Sequence, residues 1–600
     1  MLGSSNSGAA WPRLSVVTTG ILETFGRGVN HPGGHEMKRR LATFPSIPYA
    51  ALSRTRDDMA IRKEGCSPTD HKMSRSIRSG LIFLLPVLLA FAGCMVGPNY
   101  QRPKVSVSPS FGETGDPRLS AESTNYRDWW KAFNDPVLDR LIARAYRDNL
   151  TLQQAGVRVL QARAQLGIAV GEIFPQSQQA VGSVQYNRTS DRAATAAFFK
   201  GGGGIEYWQS TIGAQASWEL DFWGRIRRGI QSADASLLAT LADYDNTLVT
   251  LTADVANTYI ALRTAEERIR IAQENIDIQQ QTLQIVEARF KYGTVTQLDV
   301  EQARTVLLNT QATLPTLETQ RRQARDALSV LLGMPPNDLG DLLDGPSAIP
   351  VSPPQVIVGI PADLLRRRPD IRSAELQAVA QSAQIGVAKA ELLPAFSLIG
   401  NLVLLSTDLG TFKLSDMFRW GSRQVQIGPS VQWNILNYGQ ITNNVRVQDA
   451  NFQQLLLAYQ RSVLSAQQDV EDNLAAFLRS QDRADLLAKS VTASRSAVDL
   501  AVLQYREGVT DFTTVLTTQQ TLLTQQDNLA STLGNISTSL VGVYRALGGG
   551  WEIREGEDIV PAEIKAEMRQ RTNWGSLLAP TTYNLPASRE PQSRPRLPDW

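Results

Sequence analysis

The sequence predicts a mixed α/β membrane protein made of two repeats, each with two strands and one very long helix. Three observations carry this prediction. Residues 164–175 recur 219 positions later as residues 383–394, two long stretches lack both glycine and proline, and two segments alternate apolar and polar side chains. Internal repetition indicates that one structural unit is used twice.

The repeat extends well beyond its first motif. AQLGIAVGEIFP (residues 164–175) matches AQIGVAKAELLP (residues 383–394), and after a change in length of four residues the offset becomes 215. We therefore expect the second half to copy the first in the order helix, two strands, long helix, glycine turn, helix. Further pairs at this offset are Trp218 with Trp433, Gly224 with Gly439, Asp254 with Asp469, Gly293 with Gly508, and Leu332 with Leu547.

Two stretches predict helices of unusual length. Residues 230–292 and 440–507 contain no glycine and no proline. At a rise of 1.5 Å per residue, such helices are roughly 95–100 Å long. That length is typical of coiled coils or helical tubes. Their small and polar side chains favour close packing around an aqueous space, and an ordinary coiled-coil stalk is the alternative.

Two segments have the pattern of transmembrane strands. Residues 211–222 and 425–435 alternate apolar and polar side chains, as a strand with one face on lipid requires. A soluble two-sided sheet is the alternative. Four strands per chain cannot close a barrel, and an open sheet edge is not tolerated in lipid. We therefore expect several copies to pool their strands, eight from two chains or twelve from three.

A short apolar run leads to the cysteine at position 94. Arg75 and Arg78, followed by apolar residues 81–92, have the order of a secretory signal peptide over residues 73–93. The run is too short to cross a bilayer, which takes roughly 20 residues. Cysteine directly after Ala-Gly resembles a bacterial lipobox, so Cys94 is the predicted lipid anchor. A buried helix with a chance cysteine is the alternative.

Both ends of the chain are expected to lie outside the folded repeats. Residues 1–72 are interpreted as a wrongly assigned or disordered extension, with Met73 as the expected start and a real extra region as the alternative. Residues 556–600 are rich in proline and are predicted to be a disordered tail. Between them we place a linker and the first repeat at residues 94–345, and the second repeat at residues 346–555.

Composition argues against several classes of function. The 600 residues are 42% hydrophobic with a net charge of +2, so no basic surface for nucleic acid is indicated. The two cysteines make no disulfide framework, and all three histidines precede Cys94. No phosphate-binding loop, nucleophile elbow or metal-ligand cluster is present in the sequence. We therefore predict no enzyme activity, no cofactor and no metal.

Six motifs are specific when taken together: CMVGPNYQRP from residue 94, WWKAFNDPVLDRLI from 129, RAQLGIA from 163, LRRRPDIRSAE from 365, YREGVTDF from 505 and ALGGGW from 546. With these motifs, residues 94–555 resemble the outer membrane factor family of TolC-like exit ducts, and within it the lipoprotein branch similar to OprM and NodT. The resemblance implies a homotrimer whose twelve-stranded outer-membrane β-barrel continues as a long periplasmic α-helical barrel. Methionine at position 95, directly after the cysteine, resembles the pattern of lipoproteins that are sorted to the outer membrane.

The resemblance also implies partners. Gly293 and Gly508 are the only breaks between long helices, and positive φ is inexpensive at glycine, so each predicts a helix reversal. In the family such turns are periplasmic tips that dock an adaptor protein, which joins an inner-membrane pump, here of the resistance-nodulation-division type. The residues implied in docking are Tyr292, Gly293, Thr294, Glu507, Gly508 and Val509.

Members of the family often carry acidic rings just past the second tip turn. This chain has Thr514 and Thr517 there, so we expect a constriction lined by hydroxyls and by apolar residues such as Val515 and Leu516. Asp299, six residues after the first turn, is the third candidate for the constriction. We interpret it mainly as a helix-start residue, because acids are favourable near helix N-termini.

The resemblance implies passive export of drugs or toxic small molecules across the outer membrane, with energy supplied by the pump. An outer-membrane channel for type I protein secretion is the alternative. A non-conducting coiled-coil scaffold is the other alternative, and the lipid-compatible strands argue against it.

Overall fold

The computed structural model describes residues 95–113, 115–120, 126–190, 192, 205–336, 339–359 and 367–579. All of these belong to one unit of the chain, residues 79–600. The other unit, residues 1–78, lies outside the described residues. The predicted extension, the signal peptide, Cys94 and residues 580–600 also lie outside them.

Eight α-helices are present among the described residues, and their lengths show the repeat directly. Three pairs have equal lengths: 22 residues in Leu150–Gly171 and Pro369–Ala390, 67 in Arg225–Lys291 and Gln440–Arg506, and 35 in Gln297–Leu331 and Phe512–Ala546. The two long helices are therefore confirmed, at about 100 Å for 67 residues. The bounds are α1 Pro136–Asp148, α2 Leu150–Gly171, α3 Arg225–Lys291, α4 Gln297–Leu331, α5 Pro369–Ala390, α6 Gln440–Arg506, α7 Phe512–Ala546 and α8 Ala562–Arg571.

One antiparallel sheet consists of four strands in the order β2 (Ser177–Arg188), β3 (Glu206–Leu220), β5 (Ala395–Thr407) and β6 (Arg423–Gln432). The first repeat supplies β2 and β3 and the second supplies β5 and β6, so the repeats share a sheet. The strand β3 ends at Leu220, two residues earlier than predicted, because the carboxylate of Asp221 accepts hydrogen bonds from the first N–H groups of α3. The bounds are β1 Leu119–Ser120, β2 Ser177–Arg188, β3 Glu206–Leu220, β4 Val356–Ile357, β5 Ala395–Thr407 and β6 Arg423–Gln432; β1 pairs with β4.

The main apolar core lies where the long helices meet the shorter ones. Tyr244 and Tyr259 of α3 and Phe477 of α6 are fully buried there, next to Leu138 and Leu141 of α1. The long helices thus gain their stability over this part from tertiary packing, because propensity alone contributes little. The sheet lies beyond one end of this core, since β3 leads into α3 and β6 leads toward α6.

The terminal segments cross between the repeats. Before the first repeat, Arg102 pairs with Glu375 of α5 and the N–H of Gly112 donates to Glu471 of α6. After the second repeat, the backbone of Ile559 lies so close to Gly156 of α2 that no Cβ fits there. Each terminal segment therefore contacts the repeat that is distant from it in sequence.

The predicted disorder of residues 556–600 is wrong for residues 556–579. These residues include α8, and Lys565, Met568 and Leu578 are buried against the rest of the fold. Proline-rich composition predicted a tail, but Pro561 only precedes the helix start, and the few apolar side chains are enough to bury the segment.

Candidate functional site

The first predicted tip turn is a helix reversal closed by backbone hydrogen bonds. Gly293, at φ 71°, follows the last turn of α3. Its N–H donates to the carbonyl of Phe290 at 2.9 Å, and the N–H of Thr294 donates to that of Arg289 at 3.0 Å. This is the Schellman arrangement, in which positive φ favours glycine. Tyr292 is 82% exposed beside it.

The second tip turn repeats this geometry. Gly508, at φ 74°, donates to Tyr505 at 3.0 Å, and Val509 donates to Gln504 at 2.8 Å. Glu507 is exposed and Val509 is 74% exposed. The predicted helix reversals are confirmed at both glycines, and both turns present exposed side chains.

Each helix that follows a tip turn begins with a carboxylate and a threonine, in opposite orders. In α4, the Asp299 carboxylate accepts hydrogen bonds from the N–H and the hydroxyl of Thr296, at 2.8 and 2.7 Å. In α7, the Asp511 carboxylate accepts from the N–H and the hydroxyl of Thr514, at 3.0 and 2.8 Å. Asp299 therefore is a helix-start residue, as its spacing predicted. The Thr514 hydroxyl is held by Asp511, and these hydrogen bonds lower the pKa of the Asp511 carboxyl.

The expected apolar constriction is wrong for Val515 and Leu516. Both side chains are buried inside the chain, where they pack against residues of the first tip. Thr517 is exposed, and its hydroxyl donates to backbone carbonyls of α7. Helical spacing explains the difference, because residues one and two places after Thr514 face the neighbouring helices and Thr517 does not.

The two tips form one packed unit. We call the buried residues that join them the tip cluster: Val286, Val300, Ala303, Val306, Ala501, Tyr505, Phe512, Val515 and Leu516. Arg289 adds a polar contact, because its guanidinium donates to the carbonyls of Tyr505 at 2.6 Å and Arg506 at 3.0 Å. The two tips, which lie 215 positions apart in the sequence, therefore pack against each other.

The strand sheet has one mainly apolar and one mainly polar face, and Ile399, Val403 and Leu405 of β5 are apolar members of the polar face. Ile212, Leu402 and Ile427 are on the apolar face and are 43%, 53% and 74% exposed. Gln215 and Gln426 are exposed on the opposite face. Exposed apolar side chains in this number indicate a surface that contacts lipid or protein.

The residues after Cys94 are held firmly, although Cys94 itself lies outside the described part. Arg228, at the start of α3, is only 4% exposed. It donates to the carbonyls of Val96 at 3.1 Å and Gly97 at 3.3 Å, and to the side chain of Asn99 at 2.9 Å. Met95 packs against Gly224, where β3 gives way to α3. Residues 95–99 are thus held at the boundary between the strands and the helices.

Sequence reasoning missed three residues of these sites: Arg228, Arg289 and Asp511. The first two act through partners that are 132 and 216 residues away, so no local pattern marks them. Asp511 was detectable, because an aspartate three residues before Thr514 and directly before a helix is a typical N-cap.

Among the described residues, no group of three or more His, Cys, Asp or Glu side chains is placed to hold a metal ion. No helix in the described part of the chain is both long and apolar enough to cross a membrane.

Solved structures with this arrangement are outer-membrane channels. The chain of the outer-membrane channel OprN aligns over its whole length with 76% of this chain, at a TM-score of 0.71 and 31% sequence identity. The fold, with its strand sheet and paired long helices, is therefore that of the TolC-like outer-membrane channels.

Sequence comparison gives the family. The outer membrane efflux protein family matches residues 141–334 and 360–549. The pyoverdine export outer membrane protein OpmQ of Pseudomonas putida is 31% identical over 78% of this chain and 97% of its own length. The toluene efflux pump outer membrane protein TtgF of Pseudomonas putida is 30% identical over 77% of this chain and 95% of its own length.

The chain belongs to the outer membrane efflux protein family. It is an efflux duct of the outer membrane that extends into the periplasm, and it is a transport protein, not an enzyme.

Proposed function

We propose that this protein is the outer-membrane exit duct of a tripartite efflux system that exports small molecules. In this proposal three copies form a twelve-stranded barrel continued by a helical barrel. A periplasmic adaptor binds the tips, and an inner-membrane pump of the resistance-nodulation-division type supplies the energy.

The observation that carries the proposal is the open sheet. Among the described residues, its outer strands β2 and β6 each pair on one side only, and its apolar face is exposed. Unpaired strand edges are not stable in lipid, so the sheet needs further copies to close. Three copies of four strands give a barrel wide enough for a lumen, whereas eight strands are filled by side chains.

The helices support the same assembly. On α6, large apolar side chains remain more than half exposed at widely spaced positions, including Val447, Leu464 and Leu486. In contrast, the equivalent helix α3 of the first repeat has 30 buried residues, whereas α6 has 11. An apolar surface that runs along one long helix fits burial against the neighbouring copy.

The tip turns support adaptor docking. Tyr292 and Val509 project from turns whose backbone is closed by hydrogen bonds, so they present exposed side chains on a rigid support. The full docking set in this proposal is Tyr292, Gly293, Thr294, Glu507, Gly508 and Val509. Thr517 and Asp299, near the tips, are the residues we propose for a constriction, with Thr514 shaping it through its bond to Asp511.

We also propose that Cys94 carries the lipid anchor. Because Arg228 holds residues 96–99 at the start of α3, the described chain just after Cys94 lies at the boundary between strands and helices. That position suits acyl chains inserted in the periplasmic leaflet of the outer membrane, and two or more chains give stable anchoring.

Small molecules are the proposed cargo because two relatives are named for small-molecule export: OpmQ for pyoverdine and TtgF for toluene. The experiment is deletion of the gene, followed by profiling of drug and solvent susceptibility and of secreted proteins. The proposal predicts greater susceptibility with an unchanged set of secreted proteins. Loss of a secreted protein without a change in susceptibility contradicts it and favours type I secretion.

A further inference from the structure

Four amide side chains lie in one row across the strand sheet. Gln179 is opposite Gln215, Gln215 is opposite Asn401, and Asn401 is opposite Gln426. Directly opposite residues on antiparallel strands project from the same face, with Cβ atoms about 4.5–5.5 Å apart. The Gln215 Nε2 donates to the Gln179 Oε1 at 2.7 Å, so these two members of the row are in direct contact. We call these four residues the amide row.

The amide row lies on the face opposite the exposed apolar side chains. Ala214 and Leu402, which adjoin Gln215 and Asn401 in sequence, point to the apolar face together with Ile427. In an outer-membrane protein the apolar face contacts lipid, so the amide row faces the aqueous interior. This face is also indented, with a cavity of about 330 Å³ lined in part by Gln215, Asn401 and Gln426.

The face that carries the amide row is almost without charge. Over the described strands β2, β3, β5 and β6, its only charged side chain is Glu219 near the end of β3. That carboxylate is paired with Arg225, at 2.8 Å between Oε2 and Nη2. Pairing removes most of the net field that a single carboxylate produces at a distance.

We propose that the amide row is the hydrogen-bonding belt of the export lumen and that it passes polar solutes without selecting for their charge. An amide offers both donors and an acceptor, so it can replace water around cations, anions, zwitterions and neutral polar solutes alike. The inference rests on the proposed duct, in which three copies close the row into a ring.

The test is the reactivity of single cysteines introduced into the full chain. Gln215→Cys probes the amide row, and the matched control Ala214→Cys probes the adjacent residue on the apolar face. Each variant is reconstituted in liposomes and treated with a cationic and an anionic methanethiosulfonate reagent, and the unsubstituted protein gives the background. Planar-bilayer conductance of the unsubstituted protein is recorded in parallel.

We expect Gln215→Cys to react with both reagents at rates within about threefold of each other, because an uncharged wall does not concentrate either sign. Ala214→Cys should react at background level with both. Rates for Gln215→Cys that differ by about tenfold or more between the reagents overturn the proposal, since a field of one sign then acts at the row. Labelling of Ala214→Cys in place of Gln215→Cys also overturns it.

The conductance separates this inference from the proposed duct. If the unsubstituted protein conducts but the labelling pattern is reversed or charge-selective, the duct stands and the amide belt fails. If the unsubstituted protein does not conduct, the duct fails and the belt fails with it.

Discussion

The guanidinium of Arg289 joins the two tip turns to each other. Its Nη1 donates to the backbone carbonyl of Tyr505 at 2.6 Å, and its Cζ lies 4.6 Å from the centre of the Tyr505 ring. The last carbonyl groups of a helix have no partner within it, and a cation near them is favourable. Arg289, at the end of α3, thus supplies hydrogen-bond donors to the last carbonyl groups of α6.

Replacing Arg289 should loosen the tips. In Arg289→Ala, the carbonyls of α6 lose a charged donor and Tyr505 loses its cation, together about 1–3 kcal/mol of local stability. Hydrogen exchange of residues 283–306 and 501–516 should become faster. The matched control is Arg304→Ala on the same tip, because Arg304 makes only exposed ion pairs, with Glu287 and Glu301. Equal acceleration in both variants contradicts this role for Arg289.

The start of α7 should depend on pH. The pKa of the Asp511 carboxyl is lowered by its hydrogen bonds from Thr514, so its capping contribution is present above the usual aspartate pKa of about 4. The contribution is lost as the pH falls through the lower pKa of the folded state. Hydrogen exchange at residues 512–514, corrected for intrinsic rates, should therefore speed up between pH 5 and pH 3.

The variant Asp511→Asn is the control for this pH dependence, because asparagine also caps helices but does not titrate. Its exchange at residues 512–514 should be flat over the same range. A native protein that shows no change between pH 5 and pH 3 excludes Asp511 as the cap.

Two glycines of the sheet should respond differently to the same substitution. A Cβ at Gly213 in β3 would overlap the carbonyl oxygen of Leu402 and the Cα of Val403, whereas a Cβ at Gly400 in β5 meets nothing within 4 Å. Gly213→Ala should separate β3 from β5, where the two repeats join, and reduce the yield of assembled protein in the outer membrane. Gly400→Ala should assemble normally. Similar yields for the two variants, measured by membrane fractionation, contradict the predicted overlap.

Arg228 should hold the segment that follows the proposed lipid anchor. Arg228→Ala removes three hydrogen bonds from a charged donor to residues 96–99, of which the two to the partly buried carbonyls of Val96 and Gly97 contribute about 1–3 kcal/mol together. Protease cleavage within residues 95–113 should become faster while the long helices remain protected. Arg228→Lys should give an intermediate rate, because lysine keeps the charge but not the planar set of donors. No change in Arg228→Ala contradicts the role of Arg228 as a clamp.

Much of the fold was predictable because its strongest constraints are local. Stretches without glycine or proline predicted the long helices, and the alternation of apolar and polar residues predicted strands β3 and β6. Gly293 and Gly508 predicted the helix reversals. The repeat then extended each local prediction to the other half of the chain. The helix-start role of Asp299 was predictable for the same reason, because its partner Thr296 is only three residues away.

The remaining features depend on contacts between distant residues. The order of the sheet places β3 next to β5, and no pattern within either strand specifies that neighbour. Val515 and Leu516 were assigned to a constriction, but the first tip buries them, and that packing is decided by side chains more than 200 positions earlier. The order of residues 556–579 was missed because this segment is held by contacts with distant parts of the chain, such as that of Ile559 with Gly156 of α2, which composition does not reveal.

The measurement that tests the central claim most directly is native mass spectrometry of the protein extracted from the outer membrane in detergent. The account predicts a complex of three chains, each beginning at Cys94 and carrying the extra mass of acyl groups. Three chains supply the twelve strands that close the sheet in lipid. A monomer, or chains that retain residues 73–93 without acylation, contradicts the account and favours the coiled-coil scaffold.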